Sequence, residues 1–132
     1  MRSVTYWSLA VLAAGLVGFS MAEEKKEKPK TIKEIMKAAH SAPEGEDPLC
    51  KKLLGGKASE EETKTILVLY EDLGKNKPPK GAKGDEDAWK DKTKALLAAA
   101  KDVAGKKEGA TDAYKKAVNC KGCHEDFRPP KN

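Results

Sequence analysis

Residues 120–128 of this chain read Cys-Lys-Gly-Cys-His-Glu-Asp-Phe-Arg (CKGCHEDFR). The first five, Cys120 to His124, form the C-x-x-C-H pattern by which a haem is attached covalently. On a helix, Cys120, Cys123 and His124 stand at i, i+3 and i+4, so all three project from neighbouring parts of one face. The two thiols then reach the two vinyl groups of one porphyrin while the imidazole points at the iron. Gly122 leaves little bulk between the cysteines, and Phe127, three residues beyond His124, is expected to pack on the haem edge. The pattern therefore predicts one covalent haem c, with Cys120 and Cys123 as thioethers and His124 as the proximal iron ligand.

Three other chemistries use similar residues. A thioredoxin-like redox pair sits beside a βαβ pattern, and no period-two alternation suggestive of a strand occurs in this chain. A structural zinc site needs four ligands. Cys50, Cys120, Cys123 and one histidine supply that number only by drawing Cys50 from a different spacing context. A disulfide between Cys120 and Cys123 is possible in an exported protein but leaves the adjoining histidine unexplained. Cys50 is the odd thiol, read as a small buried residue.

Upstream of the motif the pattern is helical. Ile32, Ile35, Met36 and Ala39 define one apolar face of a first helix, opened by a capping box of Thr31 and Glu34 and stopping near His40, before Ser41-Ala42-Pro43. Leu49 to Leu54 is a short helical turn. Ser59 and Glu62 form a second capping box for a helix carrying Ile66, Leu69, Tyr70 and Leu73, with Gly74 as its C-cap. After the loop Asn76 to Gly84, Asp85 caps a longer helix with Trp89, Leu96, Leu97, Ala100 and Val103 on one side, ending near Gly105. A last helix, starting at Gly109 or Thr111, is expected to run through Tyr114 to about Phe127, where Pro129-Pro130 forbids continuation. The fold class this implies is all-α: an antiparallel four-helix bundle over residues 31–130, with the haem on the C-terminal helix.

The N-terminal segment reads differently. Arg2 precedes an apolar run, Leu9 to Phe19, and Ser20-Met21-Ala22 supplies small residues at a cleavage site, so residues 1–22 are expected to be a secretory signal peptide. Residues 23–30 are a charged leader expected to be disordered. Haem attachment takes place on the exported side of the membrane, which agrees with a periplasmic location and with no stable membrane insertion after cleavage. The full chain has 132 residues and a formal net charge of +5, with 36% charged residues and only 5% aromatic ones. Without an arginine cluster or a basic stripe interleaved with aromatics, nucleic-acid binding is not expected. Outside the signal, only Tyr70, Trp89, Tyr114 and Phe127 are aromatic, and a buried porphyrin would supply the flat apolar body that the side chains do not.

A C-x-x-C-H motif close to the C-terminus of an all-helical chain, continued as Cys120 to Arg128, resembles the class II cytochromes c, the cytochromes c prime and their low-spin relatives. The resemblance implies a four-helix bundle with the haem between the helices and a sixth ligand position facing the first helix. The loop-rich stretch after His40 departs from the family's long first helix. In the family, high-spin members place an apolar side chain over the iron and bind nitric oxide or carbon monoxide; low-spin members place a methionine there and carry electrons. Met36 lies at a position like that methionine, and is the expected distal ligand; a thioether raises the potential and closes the iron to exchange. His40, one turn later on the same side, is the alternative distal ligand and would give a lower potential. Arg128 is expected near a haem propionate.

The expected function is thus single-electron transfer between redox protein partners, not catalysis, since no nucleophile–base pair, carboxylate dyad or phosphate loop is evident. The alternative is a five-coordinate gas-binding haem protein. Lys33, Lys37, Lys115, Lys116 and Lys121 lie on or near the helices flanking the haem edge and are candidates for docking an acidic partner. A homodimer, as in many family members, is also compatible with the sequence.

Overall fold

The computed structural model describes residues 28–129. The signal peptide read over residues 1–22 lies outside them, as does most of the charged leader. Among the described residues the chain is all-helical: α1 (Ile32–His40), α2 (Leu49–Leu54), α3 (Glu60–Lys75), α4 (Glu86–Ala104), α5 (Ala110–Ala117) and α6 (Cys120–Phe127). None of these helices is long and apolar enough to cross a membrane.

The helix starts follow their caps. Thr31 accepts from the Glu34 amide while the Glu34 carboxylate accepts from the Thr31 amide, and Ser59 and Glu62 repeat the arrangement at α3. Asp85 accepts from the Ala88 amide at α4. Each cap satisfies amides that the first turn leaves without an internal partner. The α3 helix runs one residue past Gly74, and Asn76 rather than Gly74 is its C-cap. Asn76 has a wider role. Its Nδ2 donates to the carbonyls of Asp72 and Lys30, each at 2.8 Å, and its own carbonyl accepts from Trp89 Nε1 at 2.8 Å. Lys30, read as the end of a disordered leader, is therefore tied down, and its amide also donates to Asp72 Oδ2 at 3.2 Å.

The long helices α3 and α4 pack together. Asn76 meets Trp89 and Glu71 pairs with Lys101, so the residue numbers of the two helices run in opposite senses and the pair is antiparallel. Against it lie α1, through the fully buried Ile35 and Ala39, and α5, through Tyr114. The centre is a hydrogen bond of 2.7 Å between the hydroxyls of Tyr70 and Tyr114, both fully buried. Burial pushes both phenols upward, Tyr114 to about 12. Each hydroxyl is the other's polar partner in an otherwise apolar core, the condition under which buried tyrosines are tolerated.

One expectation fails. The single last helix running to Phe127 is instead two helices, broken at Val118 and Asn119. Val and Asn are both weak helix formers, and Asn119 has a competing use for its side chain. At φ −60° and ψ 87° it leaves the helical region and its Oδ1 accepts from the Gly122 amide at 3.0 Å, capping α6. Gly122 leaves room for this cap, because a Cβ there would lie 2.8 Å from Asn119 Nδ2 and press on the end of the capping side chain.

Two outcomes are expected in chemical denaturation. Tyr70→Phe strands the Tyr114 hydroxyl and should lower stability by about 1–3 kcal/mol. The double change Tyr70→Phe/Tyr114→Phe should cost less than the sum of the two single ones, since it removes both members of the pair.

Candidate functional site

The motif helix α6 has eight residues, too short to be stable alone. Its position comes from contacts at its C-terminal end. Phe127 is buried and meets the Trp89 ring edge-on at 5.1 Å between centroids. The carbonyl of Asp126 accepts from the amides of Lys83 and Gly84 at 2.8 and 2.9 Å. Lys92, from α4, places its ammonium on the Asp126 carboxylate, 3.3 Å from the Gly122 carbonyl and 5.4 Å from the Phe127 ring centroid. Gly84 permits this closeness, because a Cβ there would sit 2.5 Å from Phe127 Cε1.

Held this way, α6 closes one side of a cavity of about 250 Å³. Its walls are Met36 and His40 from α1, Leu73 from α3, Thr93, Ala95 and Leu96 from α4, Ala117 and Val118 at the end of α5, and Cys120, Gly122, Cys123 and His124 from α6. Lys92, Lys116 and Asn119 complete the lining. The five donors singled out in the sequence, Met36, His40, Cys120, Cys123 and His124, thus come together around one space from opposite ends of the chain. Cys120 and His124 are exposed and Cys123 is half-buried, so the motif stands at the open side. All three cysteines are free thiols. Burial raises the Cys123 thiol, with the Lys92 ammonium acting in the opposite direction. Cys50 is half-buried, its thiol likewise raised by burial.

On the far wall, His40 packs at 5.8 Å from the Tyr70 ring, and its Nδ1 is buried without a hydrogen-bond partner. Burial lowers its pKa, and the positive charge that His124 can carry lowers it further. An unpaired buried polar atom costs about 1–3 kcal/mol and calls for an explanation.

No protein-family model, curated protein or solved structure matches this chain. The chemistry of the site has to be judged from its own residues. Among the described residues no group of three or more His, Cys, Asp or Glu side chains is gathered tightly enough to hold a bare metal ion, which counts against assembling zinc from Cys50, Cys120, Cys123 and a histidine. The donor set does fit a haem. Two thiols and an imidazole share one helix face, Leu73, Ala95, Leu96, Ala117 and Val118 give the cavity apolar walls, and α1 adds two further donors able to bind iron to the same lining.

Two expected site residues stand elsewhere. Phe127 packs into the Trp89–Gly84–Lys92 corner, where it anchors α6, and is not part of the cavity lining. Arg128 is exposed and also lies outside the lining. Conversely, the structure brings in Lys92 and Asn119, and puts Lys116, already a docking candidate, in the lining. Of the two newcomers only Asn119 left a signal, an N-cap residue three positions before Gly122.

The anchoring of α6 is open to test by hydrogen exchange. Lys92→Met should speed exchange of the α6 amides roughly fivefold, equivalent to about 1 kcal/mol for a partly exposed clamp, with little change in α3. Gly84→Ala should displace Phe127 and cost about 1–3 kcal/mol by overpacking, read from the near-ultraviolet circular dichroism of Trp89 and a denaturation curve.

Proposed function

We propose that the chain is a monohaem c-type cytochrome of the class II kind, exported to the periplasm, that carries single electrons between protein partners. The observation that carries this reading is the meeting of Cys120, Cys123 and His124 with Met36 and His40 around one apolar cavity. Cys120 and Cys123 hold the haem c as thioethers, each thiol adding its S–H across one vinyl group. His124 is the proximal ligand. A second axial ligand comes from the α1 wall, where Met36, the first choice on sequence, and His40 both stand.

When bound, the haem supplies an iron couple that takes up and releases one electron. The chain's own part is to fix the ring's orientation and exclude water from its faces. Leu73, Leu96, Ala117 and Val118 provide the low-dielectric surroundings that, with axial-ligand identity, set the potential. The bundle in this reading consists of α1, α3, α4 and the α5–α6 pair as its fourth member. Lys33, Lys37, Lys115, Lys116 and Lys121 are all exposed, and Lys116 lies at the cavity itself. Exposed lysines near the cavity, with Lys116 in its lining, would steer an acidic redox partner toward the haem edge. Two donors on the distal wall favour electron transfer over the gas-binding alternative, which needs an open iron site.

The test is the intact mass of the full chain expressed with a cytochrome c maturation system. The expected result is a gain of one complete haem that survives denaturation. Cys120→Ala/Cys123→Ala should abolish it, and each single variant should leave one thioether. Haem lost on denaturation of the wild type, or none at all, overturns the reading.

A further inference from the structure

Resting on the haem assignment above, the geometry points to a more specific arrangement: we infer that the His40 imidazole, not the Met36 thioether, is the second axial ligand of the iron. Both side chains belong to α1 at i and i+4 and both line the cavity, so proximity does not separate them. Their surroundings do.

Met36 is half-buried and packed against the hydrophobic core. Its thioether needs no polar partner, and a flexible methionine in such a place is satisfied by packing alone. His40 is in the opposite condition. Its Nδ1 is buried and unpartnered, in a core where the two buried tyrosine hydroxyls are paired with each other and the Thr93 hydroxyl donates to the Trp89 carbonyl. With no hydrogen bond committing it elsewhere in the fold, the imidazole that lines the cavity has a nitrogen available to the iron the site is proposed to receive.

Position agrees with this. His40 and His124 stand on different walls of the same cavity. The His40 ring is restrained by its tilted contact with Tyr70, and Tyr70 is fixed in turn by Tyr114. A ligand whose plane is set in advance loses little freedom on binding. The resulting iron has two imidazole ligands, is six-coordinate, and has a lower potential than a histidine–methionine pair would give.

The experiment uses the full chain carrying covalent haem. Absorption and electron paramagnetic resonance spectra of the ferric protein should report a low-spin iron with two nitrogen ligands and no weak red band of thioether–iron bonding. Met36→Leu should leave both spectra unchanged. His40→Ala should abolish the two-imidazole signature, and added imidazole should restore it. A red thioether band in the wild type that disappears in Met36→Leu overturns the inference, as does a high-spin wild-type iron that binds carbon monoxide. If His40→Ala does not fold, the wild-type spectra and Met36→Leu decide the matter. Intact mass keeps the two levels apart: covalent haem with a thioether band refutes His40 alone, whereas absence of covalent haem removes the haem assignment and this inference with it.

Discussion

The site depends on holding a two-turn helix still. An isolated helix of eight residues does not persist in water, and α6 carries Cys120, Cys123 and His124 on one face, where a rotation would turn all three away from the cavity. Its register is set from one end by Phe127 against Trp89, by the Asp126 carbonyl receiving the amides of Lys83 and Gly84, and by the Lys92 ammonium. Trp89 is itself fixed through its indole N–H on Asn76. Asn76 also holds Lys30 at the approach to α1. A single polar residue at the end of α3 therefore connects the anchor of the motif helix with the start of the helix that forms the far wall.

That far wall is positioned by helical phase. In α1, Ile35 and Ala39 are fully buried against the core. Met36 and His40 follow them by one residue each, which places them on the adjoining stripe, rotated by about 100°. Burial of the first pair thereby aims the second pair at the cavity. The Tyr70–Tyr114 bond closes the arrangement from beneath, joining α3 to α5 at the point where His40 lies against Tyr70. The α1 and α6 walls of the cavity are thus positioned by separate sets of contacts.

Much of this is legible in the sequence. Thr31, Ser59 and Asp85 mark helix starts by chemistry that is local, so sequence suffices to find them, and the C-x-x-C-H spacing identifies its own face. The break at Val118–Asn119 was harder. The apolar spacing runs on through Tyr114, Ala117 and Val118, and only the side-chain cap from Asn119 to Gly122 shows that the backbone departs there. The surroundings of Phe127 were hidden for another reason. Phe127 is drawn to a corner made by Gly84, Trp89 and Lys92, some forty residues earlier in the chain, and no local pattern reports such a contact. Lys92 resembles every other lysine of α4 until α6 is seen to lie across it.

The interruption at Asn119 has a mechanical meaning. Between Ala117 and Cys120 only two residues join α5, whose Tyr114 is locked in the core, to the helix that presents the thiols. In a continuous helix, any tilt at the thiol end would travel as a lever through the tyrosine pair. Here the break at Val118 and Asn119 separates the two helices, and the far end of α6 rests in the Phe127 corner. In the proposed cytochrome, the segment that would form two carbon–sulfur bonds is thus joined to the tyrosine-locked core by a two-residue break and not by a continuous helix.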